Sequence, residues 1–244
     1  MGLGSCLRIL LTRIIAGLFP SKKSRVILYH DICNYKSYTD MATSVELFKQ
    51  HISIIRSEGF EIVPDITNNT GQIQITFDDA FLGLYDNLSV IKELNIPIKL
   101  FVITSFLNKE KYINMQQLKE IASCKWISIG SHTHTHNRLS DLSNNKIKHE
   151  LGYSKKILEE LLNCKITDLC YPEGKFDKRV VDTANDMGYS KQYSLIPGLY
   201  QDEIFLNVKR RSLVQYAKKK YFIALLYGGN DFLSTWYMKK HFKK

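Results

Sequence analysis

Two clusters of residues in this sequence have side chains suited to metal binding and acid–base chemistry. The first is the pair Asp78-Asp79, which ends the alternating run Ile73-Gln74-Ile75-Thr76-Phe77. Two adjacent carboxylates at the end of a strand can have different roles: one binds a metal ion while the other accepts a proton from water. A solvated turn or a helix N-cap is the alternative, and for an Asp-Asp pair alone it is the better explanation.

The second cluster is a run of histidines in Ser131-His132-Thr133-His134-Thr135-His136, directly after the apolar run Trp126–Ile129. Three of the seven histidines of the chain fall within these six residues, and neutral imidazole is the commonest nitrogen ligand for zinc-like metals. In a helical turn His132 and His136 would share a face without His134, whereas in a strand all three would lie on one side. The sequence leaves both geometries open, and a polar surface loop is the remaining alternative.

Short apolar runs alternate with helical patterns after Pro20, which indicates a parallel sheet covered by helices. The predicted strands are Val26–His30, Glu61–Val63, Gln72–Phe77, Lys99–Ile103, Trp126–Ile129, Leu169–Tyr171, Tyr189–Tyr193 and Leu206–Arg210. The predicted helices are Ser44–Ser57, Leu84–Leu94, Met115–Ala122, Asn144–Leu162 and Lys178–Met187. We therefore expect a barrel-like or open α/β sheet, with the chemistry at the C-terminal ends of its strands.

Length and composition describe a folded globular protein. The chain has 244 residues, of which 44% are hydrophobic and 24% charged, enough for a buried core without disulfide or metal cross-links. The best apolar stretch, Leu3–Phe19, is interrupted by Arg8 and Arg13 and is shorter than the roughly 18 residues of a membrane span. Five cysteines without a Cys-x-x-Cys pair argue against a disulfide framework and a zinc ribbon. We expect a cytoplasmic location.

Basic residues concentrate at the two ends of the chain. Residues 1–30 contain five basic and no acidic side chains, and residues 205–244 contain ten basic side chains and one acidic side chain. Apolar residues at helical spacing near the N-terminus predict an amphipathic helix, which either lies on an anionic membrane surface or packs on the domain. No nucleic-acid-binding motif accompanies these charges, so we expect no nucleic-acid partner.

Three segments resemble, in order and spacing, the first three motifs of the NodB-homology polysaccharide deacetylases, carbohydrate esterase family 4. They are Thr76-Phe77-Asp78-Asp79, His132-Thr133-His134-Thr135-His136 and Tyr171-Pro172-Glu173-Gly174. Val26-Ile27-Leu28-Tyr29-His30-Asp31 is similar to the opening Tyr-His strand of the circularly permuted branch, which includes poly-N-acetylglucosamine deacetylases. We predict a distorted (β/α) barrel of about seven strands over residues 24–214, after an amphipathic segment, 1–23, and before a basic helical extension, 215–244.

The resemblance implies a divalent metal held by Asp79, His132 and His136, which selects the helical-turn geometry for the histidines. Zn²⁺ is the first expectation, with Co²⁺, Ni²⁺, Fe²⁺ or Mn²⁺ as alternatives. By the same resemblance Asp78 is the general base.

The resemblance also implies roles for residues that do not bind the metal. His30 is the general acid that protonates the departing amine, and the backbone N–H of Glu173 binds the carbonyl oxygen as it gains negative charge. Cys170 stands where many members have an Arg, and we predict that Arg210 supplies this charge beside Asp78, with Arg211 as the rival. Ala80 replaces a usual Gly, and Glu173 replaces an aromatic residue.

The function implied is metal-dependent hydrolysis of an N-acyl group, most simply N-acetyl, from an amino sugar of a polysaccharide or lipid-linked glycan precursor. A catalytically inactive glycan-binding module on the same scaffold is the alternative. The expected partners are the N-acylated glycan or lipid-linked sugar and an anionic membrane surface. The corresponding location is the cytoplasm, with peripheral attachment at the inner membrane surface.

Overall fold

Parallel strands form the centre of the fold in a computed structural model, which describes residues 3–243 of the chain. The strands in this range are β1 (Arg25–Tyr29), β2 (Asp31–Cys33), β3 (Ala42–Ser44), β4 (Glu61–Ile62), β5 (Gln72–Phe77), β6 (Ile98–Val102), β7 (Ile127–Ser131), β8 (Asp168–Cys170), β9 (Lys191–Tyr193), β10 (Val208–Lys209) and β11 (Ser212–Leu213). Nine of them form one sheet in the order β10-β9-β8-β7-β6-β5-β1-β11, with β4 paired to the first residues of β5. β2 and β3 form a separate parallel pair.

The sheet curls until its two ends approach one another. β10 and β11 stand at opposite ends of the strand order, although only Arg210 and Arg211 separate them in sequence. A flat sheet could not be crossed by so short a connection, so the predicted barrel-like α/β architecture is confirmed. The described residues contribute nine strands to it, and not about seven, because strands of two residues such as β11 are too short to produce a sequence pattern.

Helices cover the outer face of the curled sheet. Those in residues 3–243 are α1 (Leu3–Leu18), α2 (Val45–Ser57), α3 (Leu82–Asp86), α4 (Leu88–Leu94), α5 (Met115–Ala122), α6 (Asn144–Leu162), α7 (Lys178–Asp186), α8 (Lys219–Leu226) and α9 (Ser234–His241), with 3₁₀ turns at Thr104–Phe106, Leu139–Asp141, Pro172–Gly174 and Asp231–Leu233. The predicted helix Leu84–Leu94 is divided into α3 and α4. The division falls at Asn87, whose φ and ψ angles of −112° and 22° leave the helical region, and the carbonyl oxygen of Gly83 accepts from both its backbone amide and its side chain.

The two faces of β5 show how the strands position the site. Ile73, Ile75 and Phe77 are fully buried in the main core, which includes side chains of the helices. Successive side chains of a strand point to opposite faces, so Gln74 and Thr76 point into the curl. The Gln74 side chain accepts a hydrogen bond there from the Tyr193 hydroxyl. The residue after Phe77 continues this alternation and enters the same interior.

The helix α1 packs on α8 through its small residues. Thr12 and Ala16 are buried and lie against Gly229, where a side chain would collide with both. Within the described residues, no helix combines the length and the apolar character that crossing a bilayer needs.

Candidate metal and active site

Asp78 and Asp79 lie side by side at the C-terminal end of β5 because the backbone reverses there. Asp79 and Ala80 have φ angles of 74° and 62°, in the left-handed region that favours glycine. This turn brings the second carboxylate towards the same interior as the first, and both side chains are buried. Ala80 therefore occupies a position where the usual Gly of the motif would be free of steric strain.

The histidine segment is an irregular loop, so the predicted helical turn is wrong. His132–His136 has no helical assignment, and Thr133 and His136 have φ angles of 67° and 61°. Side chains take the backbone amides that a helix would pair internally. The Glu150 carboxylate accepts from the amides of His134 and Thr135 at 3.0 and 2.8 Å. The Thr133 hydroxyl accepts from the amide of His136.

The loop nevertheless brings both imidazoles to the same carboxylate oxygen. Oδ1 of Asp79 lies 3.4 Å from Nε2 of His132 and 3.6 Å from Nε2 of His136. This oxygen is buried and has no hydrogen-bond partner. Ligand atoms about 2.0–2.1 Å from a zinc-sized cation lie roughly 3.0–3.4 Å apart. The two distances lie at and slightly above this range, and all three ligand atoms lie within 4.8 Å of one another. The group therefore has the donor set of a divalent metal site and close to its spacing.

Asp79 and His136 are in the protonation state that a cation needs. Burial raises the pKa of Asp79, but the adjacent His132 imidazole and the charge of His30 outweigh this and lower the pKa. Burial, reinforced by His132, lowers the pKa of His136 to about 4, so its imidazole is neutral near pH 7. Nδ1 of His132 lies 2.9 Å from the carbonyl oxygen of Cys170. With Nδ1 as the donor to that carbonyl, Nε2 is the atom that faces Asp79. Burial lowers the pKa of His132, but Cys170, Asp79 and Asp78 outweigh this and raise it, so a bound cation would take the place of a proton on Nε2.

A second group of metal-ligand types, Asp78, His132 and Cys170, overlaps the first. Its centre is taken by the Arg211 guanidinium, which donates to both oxygens of Asp78 at 2.8 and 2.9 Å and to the sulfur of Cys170 at 2.9 Å. A cation there would face a buried positive charge. The Asp79 group is therefore the better candidate.

Arg211, and not Arg210, is the partner of Asp78. Arg210 donates instead to the carbonyl oxygen of Asp202 at 2.6 Å and to the Ser234 hydroxyl at 2.5 Å. The prediction of Arg210 as the charge beside Asp78 is therefore wrong. The reason is local geometry: in the break between β10 and β11, the side chain of residue 211 points into the curl.

The ion pair with Arg211 keeps Asp78 charged. Burial alone would raise the pKa of this carboxyl group, but attraction to Arg211 and to His132, together with the hydrogen bonds from Arg211, holds it well below its usual value. The Cys170 thiol donates a further hydrogen bond to Oδ2 of Asp78 at 3.3 Å. Arg211 thus supplies the guanidinium that position 170 lacks.

His30 lies beside this pair, at the end of β1. Its Nδ1 is 2.6 Å from the side-chain oxygen of Gln215, and the imidazole is half-buried. With Arg211 it lines a cleft of about 240 Å³. Its charge is among the smaller causes that lower the pKa values of Asp78 and Asp79.

Glu173 occupies the 3₁₀ turn Pro172–Gly174 with a φ angle of 52°. Its side chain is exposed and pairs with Arg138 at 2.8 Å. Nδ1 of His241, from α9, lies 3.0 Å from the backbone oxygen of Glu173. The end of α9 therefore holds the turn that was expected to supply a backbone donor.

Sequence reasoning missed three residues that support the site: Glu150, Gln215 and His241. Glu150 alone carried a signal. It lies on the buried stripe of α6 with Ile147, Leu151 and Leu158, and a carboxylate on an apolar helix face needs polar partners. The other two come close to the site only through the folding of the C-terminal segment.

The fold and the site define a barrel-like α/β protein with a preformed Asp–His–His group at the C-terminal edge of its sheet. The family model described as polysaccharide deacetylase matches residues 65–191, just over half of the chain, and the chain belongs to this family.

Similar proteins agree with this assignment. YxkH of Bacillus subtilis (strain 168), whose assignment as a polysaccharide deacetylase is provisional, is 25% identical over 187 residues. The match covers 72% of this chain and 66% of YxkH, slightly less than two thirds of its length.

Solved structures share the fold. The Streptococcus pyogenes deacetylase PplD, in complex with acetate, has a TM-score of 0.74 and 18% identity, and the match covers 85% of this chain and 99% of PplD. IcaB from Ammonifex degensii has a TM-score of 0.72 and 20% identity, and the match covers 85% of this chain and 98% of IcaB.

Proposed function

We propose that this protein is a metal-dependent hydrolase that removes an N-acyl group, most simply N-acetyl, from an amino sugar of a polysaccharide or lipid-linked glycan precursor. The observation that carries the proposal is the buried, unpartnered Oδ1 of Asp79, with the Nε2 atoms of two histidines 3.4 and 3.6 Å away. Membership of the deacetylase family makes the substrate an acylated sugar.

Asp79, His132 and His136 would hold the metal, with Zn²⁺ first because two of the three ligands are imidazoles. Asp78 would accept a proton from the attacking water. A carboxylate whose pKa is lowered by Arg211 is a weak base, and it can deprotonate only a water made more acidic, which is what a bound divalent cation supplies. Arg211 holds Asp78 charged and fixes the direction of its oxygens.

His30 would protonate the departing amine, because an amide nitrogen cannot leave as an anion. Gln215 offers its side-chain oxygen to Nδ1, so Nδ1 carries a hydrogen and Nε2 is the atom left to exchange a proton with the substrate. A general acid on β1 is the arrangement expected of the circularly permuted branch.

The backbone N–H of Glu173 would bind the carbonyl oxygen as negative charge develops on it. The contacts of this turn with Arg138 and His241 support the role because an effective oxyanion donor must be rigid. Arg210 lies outside this arrangement and has no role in it.

Acetate release from N-acetylglucosamine oligomers tests the proposal, with the purified protein as prepared, after chelation, and after addition of Zn²⁺ or Co²⁺. We expect release that chelation abolishes and metal restores. Asp79→Ala should behave as the chelated protein, whereas His134→Ala, in the same loop but outside the group, should remain active. Glycan binding without acetate release from metal-loaded protein would support the inactive binding module instead.

The expected location at the cytoplasmic face of a membrane stays a prediction. All five cysteines are free thiols, which agrees with a reducing compartment.

A further inference from the structure

A groove runs between α1 and the segment that follows β11. It has a volume of about 730 Å³, and its apolar wall includes Ile9, Leu213, Val214 and Tyr216. Leu213 and Tyr216 are 47% and 58% exposed. Exposed apolar side chains along a groove favour an apolar ligand.

Cations line the rim of this groove. They are Arg8, Arg13, Lys218, Lys219 and Lys220. Among the described residues, none of the five forms an ion pair, and no acidic side chain lines the groove. Unpaired positive charge around an apolar floor complements a ligand that joins an anionic group to an apolar chain.

The groove adjoins a cleft beside the candidate active site. The cleft that contains His30 and Arg211 shares Arg8, Leu213 and Tyr221 with the groove. A ligand lying along the groove would thus present one end to the proposed general acid. The cleft itself also lacks acidic lining residues within the described part of the chain.

The cleft offers one more group for a sugar. His241 is 94% buried, and its Nε2 has no hydrogen-bond partner. Burial lowers the pKa of His241 to about 4, and its Nδ1 faces the backbone oxygen of Glu173. Nε2 is therefore a hydrogen-bond acceptor, which suits a sugar hydroxyl.

We propose that the groove and cleft together bind an amino sugar joined through phosphate to a long apolar chain. This inference rests on the proposed function and narrows its substrate. The apolar chain lies between α1 and Tyr216, the phosphate lies near Arg8, and the sugar enters the cleft beside His30.

The outward face of α1 agrees with a substrate embedded in a bilayer. Leu7, Leu10, Ile14 and Leu18 are 57%, 50%, 46% and 67% exposed, while Thr12 and Ala16 are buried on the opposite side of the helix. A second copy of the chain on this face would bring like charges together at Arg8 and the neighbouring lysines. An anionic lipid surface can bury the exposed leucines and attract the cations at the same time.

Another cavity, of about 810 Å³, lies between residues 36–40 and 108–117 and includes Phe81 and Tyr112. Its lining has mixed charge, with the acidic Asp40 and Glu110 beside Lys36, Lys109 and Lys111, whereas the groove along α1 is lined by cations without any acidic residue. Aromatic and polar side chains would suit neutral sugars, which makes a polysaccharide the competing substrate.

Three matched substrates and an oligosaccharide test the inference. The first is N-acetylglucosamine 1-phosphate esterified to a long prenol. The second is N-acetylglucosamine 1-phosphate without the prenol. The third is N-acetylglucosamine linked directly to the same prenol, without phosphate, and the fourth is the N-acetylglucosamine oligomer. Because burying even two methylene groups changes affinity about tenfold, we expect kcat/KM for the first to exceed that of each of the others at least about tenfold.

Variants assign each part of the site. Leu213→Ser should lower kcat/KM for the two substrates with a chain and leave the sugar phosphate unaffected. Arg8→Gln should lower kcat/KM for the two substrates that contain phosphate and leave kcat/KM for the neutral glycoside unchanged. Lys239→Gln, a cation that lines neither groove nor cleft, is the control. Equal losses on every substrate, or an oligomer preferred over the prenyl phosphate, would overturn the inference while leaving the deacetylase function intact.

Binding of dodecyl phosphate, measured by titration calorimetry, tests the groove without turnover. We expect Arg8→Gln and Leu213→Ser each to weaken it about fivefold or more, and Lys239→Gln to leave it unchanged. If metal-loaded protein releases no acetate from any substrate, the proposed function fails and this titration still decides whether the groove binds an anionic apolar ligand. Unchanged binding in both variants would reject the groove.

Discussion

Arg211 and Asp78 form two parallel hydrogen bonds, of 2.8 and 2.9 Å, inside the curl of the sheet. Both side chains are almost completely buried, with exposures of 0% and 4%. A paired guanidinium and carboxylate can remain charged in such an environment, whereas either group alone could not without a large desolvation cost. The pair therefore joins the stability of the site to its chemistry.

Replacing Arg211 should destabilise the fold, because it leaves the charge of Asp78 buried and unpaired. We expect Arg211→Met to lower the free energy of unfolding by about 3–5 kcal/mol, measured by urea denaturation. Arg211→Lys should fold but lose most of its turnover, because an ammonium cannot form the two-pronged contact. Arg210→Met is the matched control, and a loss as large as that of Arg211→Met would contradict the assignment.

The proposed metal ligands and the proposed base should respond differently in a metal analysis. We expect Asp79→Ala, His132→Ala and His136→Ala to lose bound metal, because each removes one of the three proposed ligands. Asp78→Asn should keep the metal and lose turnover. Metal content by plasma mass spectrometry and acetate release measure the two effects. Equal metal loss in all four variants would refute this division of roles.

Glu150 should control metal affinity although it binds no metal. Its carboxylate holds the amides of His134 and Thr135 between the two proposed ligand histidines, so Glu150→Ala should leave the loop poorly ordered. We expect metal affinity to fall about 10–100-fold, measured by competition with a chelator. Glu160→Gln, on the exposed face of the same helix, should leave the metal affinity unchanged. Equal affinity in both variants would show that Glu150 has no positioning role.

His51 should make the fold sensitive to acid. It is fully buried, stacks on Phe222 and lies 2.6 Å from the carbonyl oxygen of Ala217. Burial lowers its pKa from 6.5 to about 4. Between these values the unfolded chain binds the proton more tightly, so stability is complete above about pH 6.5 and falls as the pH drops towards 4.

We expect this residue to account for about 2 kcal/mol of lost stability between about pH 7 and pH 5. Urea denaturation at both pH values measures the loss, and His51→Gln should reduce the difference by that amount. An identical pH dependence in the variant would assign the acid sensitivity to other groups.

The outward face of α1 should mediate attachment to anionic lipid. We expect the double variant Leu10→Gln/Ile14→Gln to partition several-fold less onto phosphatidylglycerol–phosphatidylcholine vesicles in a sedimentation assay, because two exposed apolar side chains are lost. Activity on soluble oligomers should be retained. Tyr35→Gln, which changes a side chain that is 98% exposed elsewhere, is the control. Unchanged partitioning of the double variant would exclude this face of α1 as the site of membrane attachment.

The sequence by itself determined the parallel α/β sheet, the positions of its main strands along the chain and, through the family motifs, the residues that meet at the proposed metal position. These depend on contiguous patterns: alternation in Gln72–Phe77, helical spacing in α2 and α6, and motifs that each occupy a few neighbouring residues. The three-residue strands β2 and β3 were missed because so short a segment carries too little pattern to identify it.

Only the tertiary structure decided which arginine faces Asp78 and how the histidine segment reaches Asp79. The direction of Arg211 depends on a break between strands at opposite ends of the sheet, and the loop shape depends on Glu150, which lies on a helix that follows it. Gln215 and His241 likewise reach the site from a C-terminal segment far away in sequence. Contacts between distant residues have no local pattern, because they are set by how the whole chain closes the barrel.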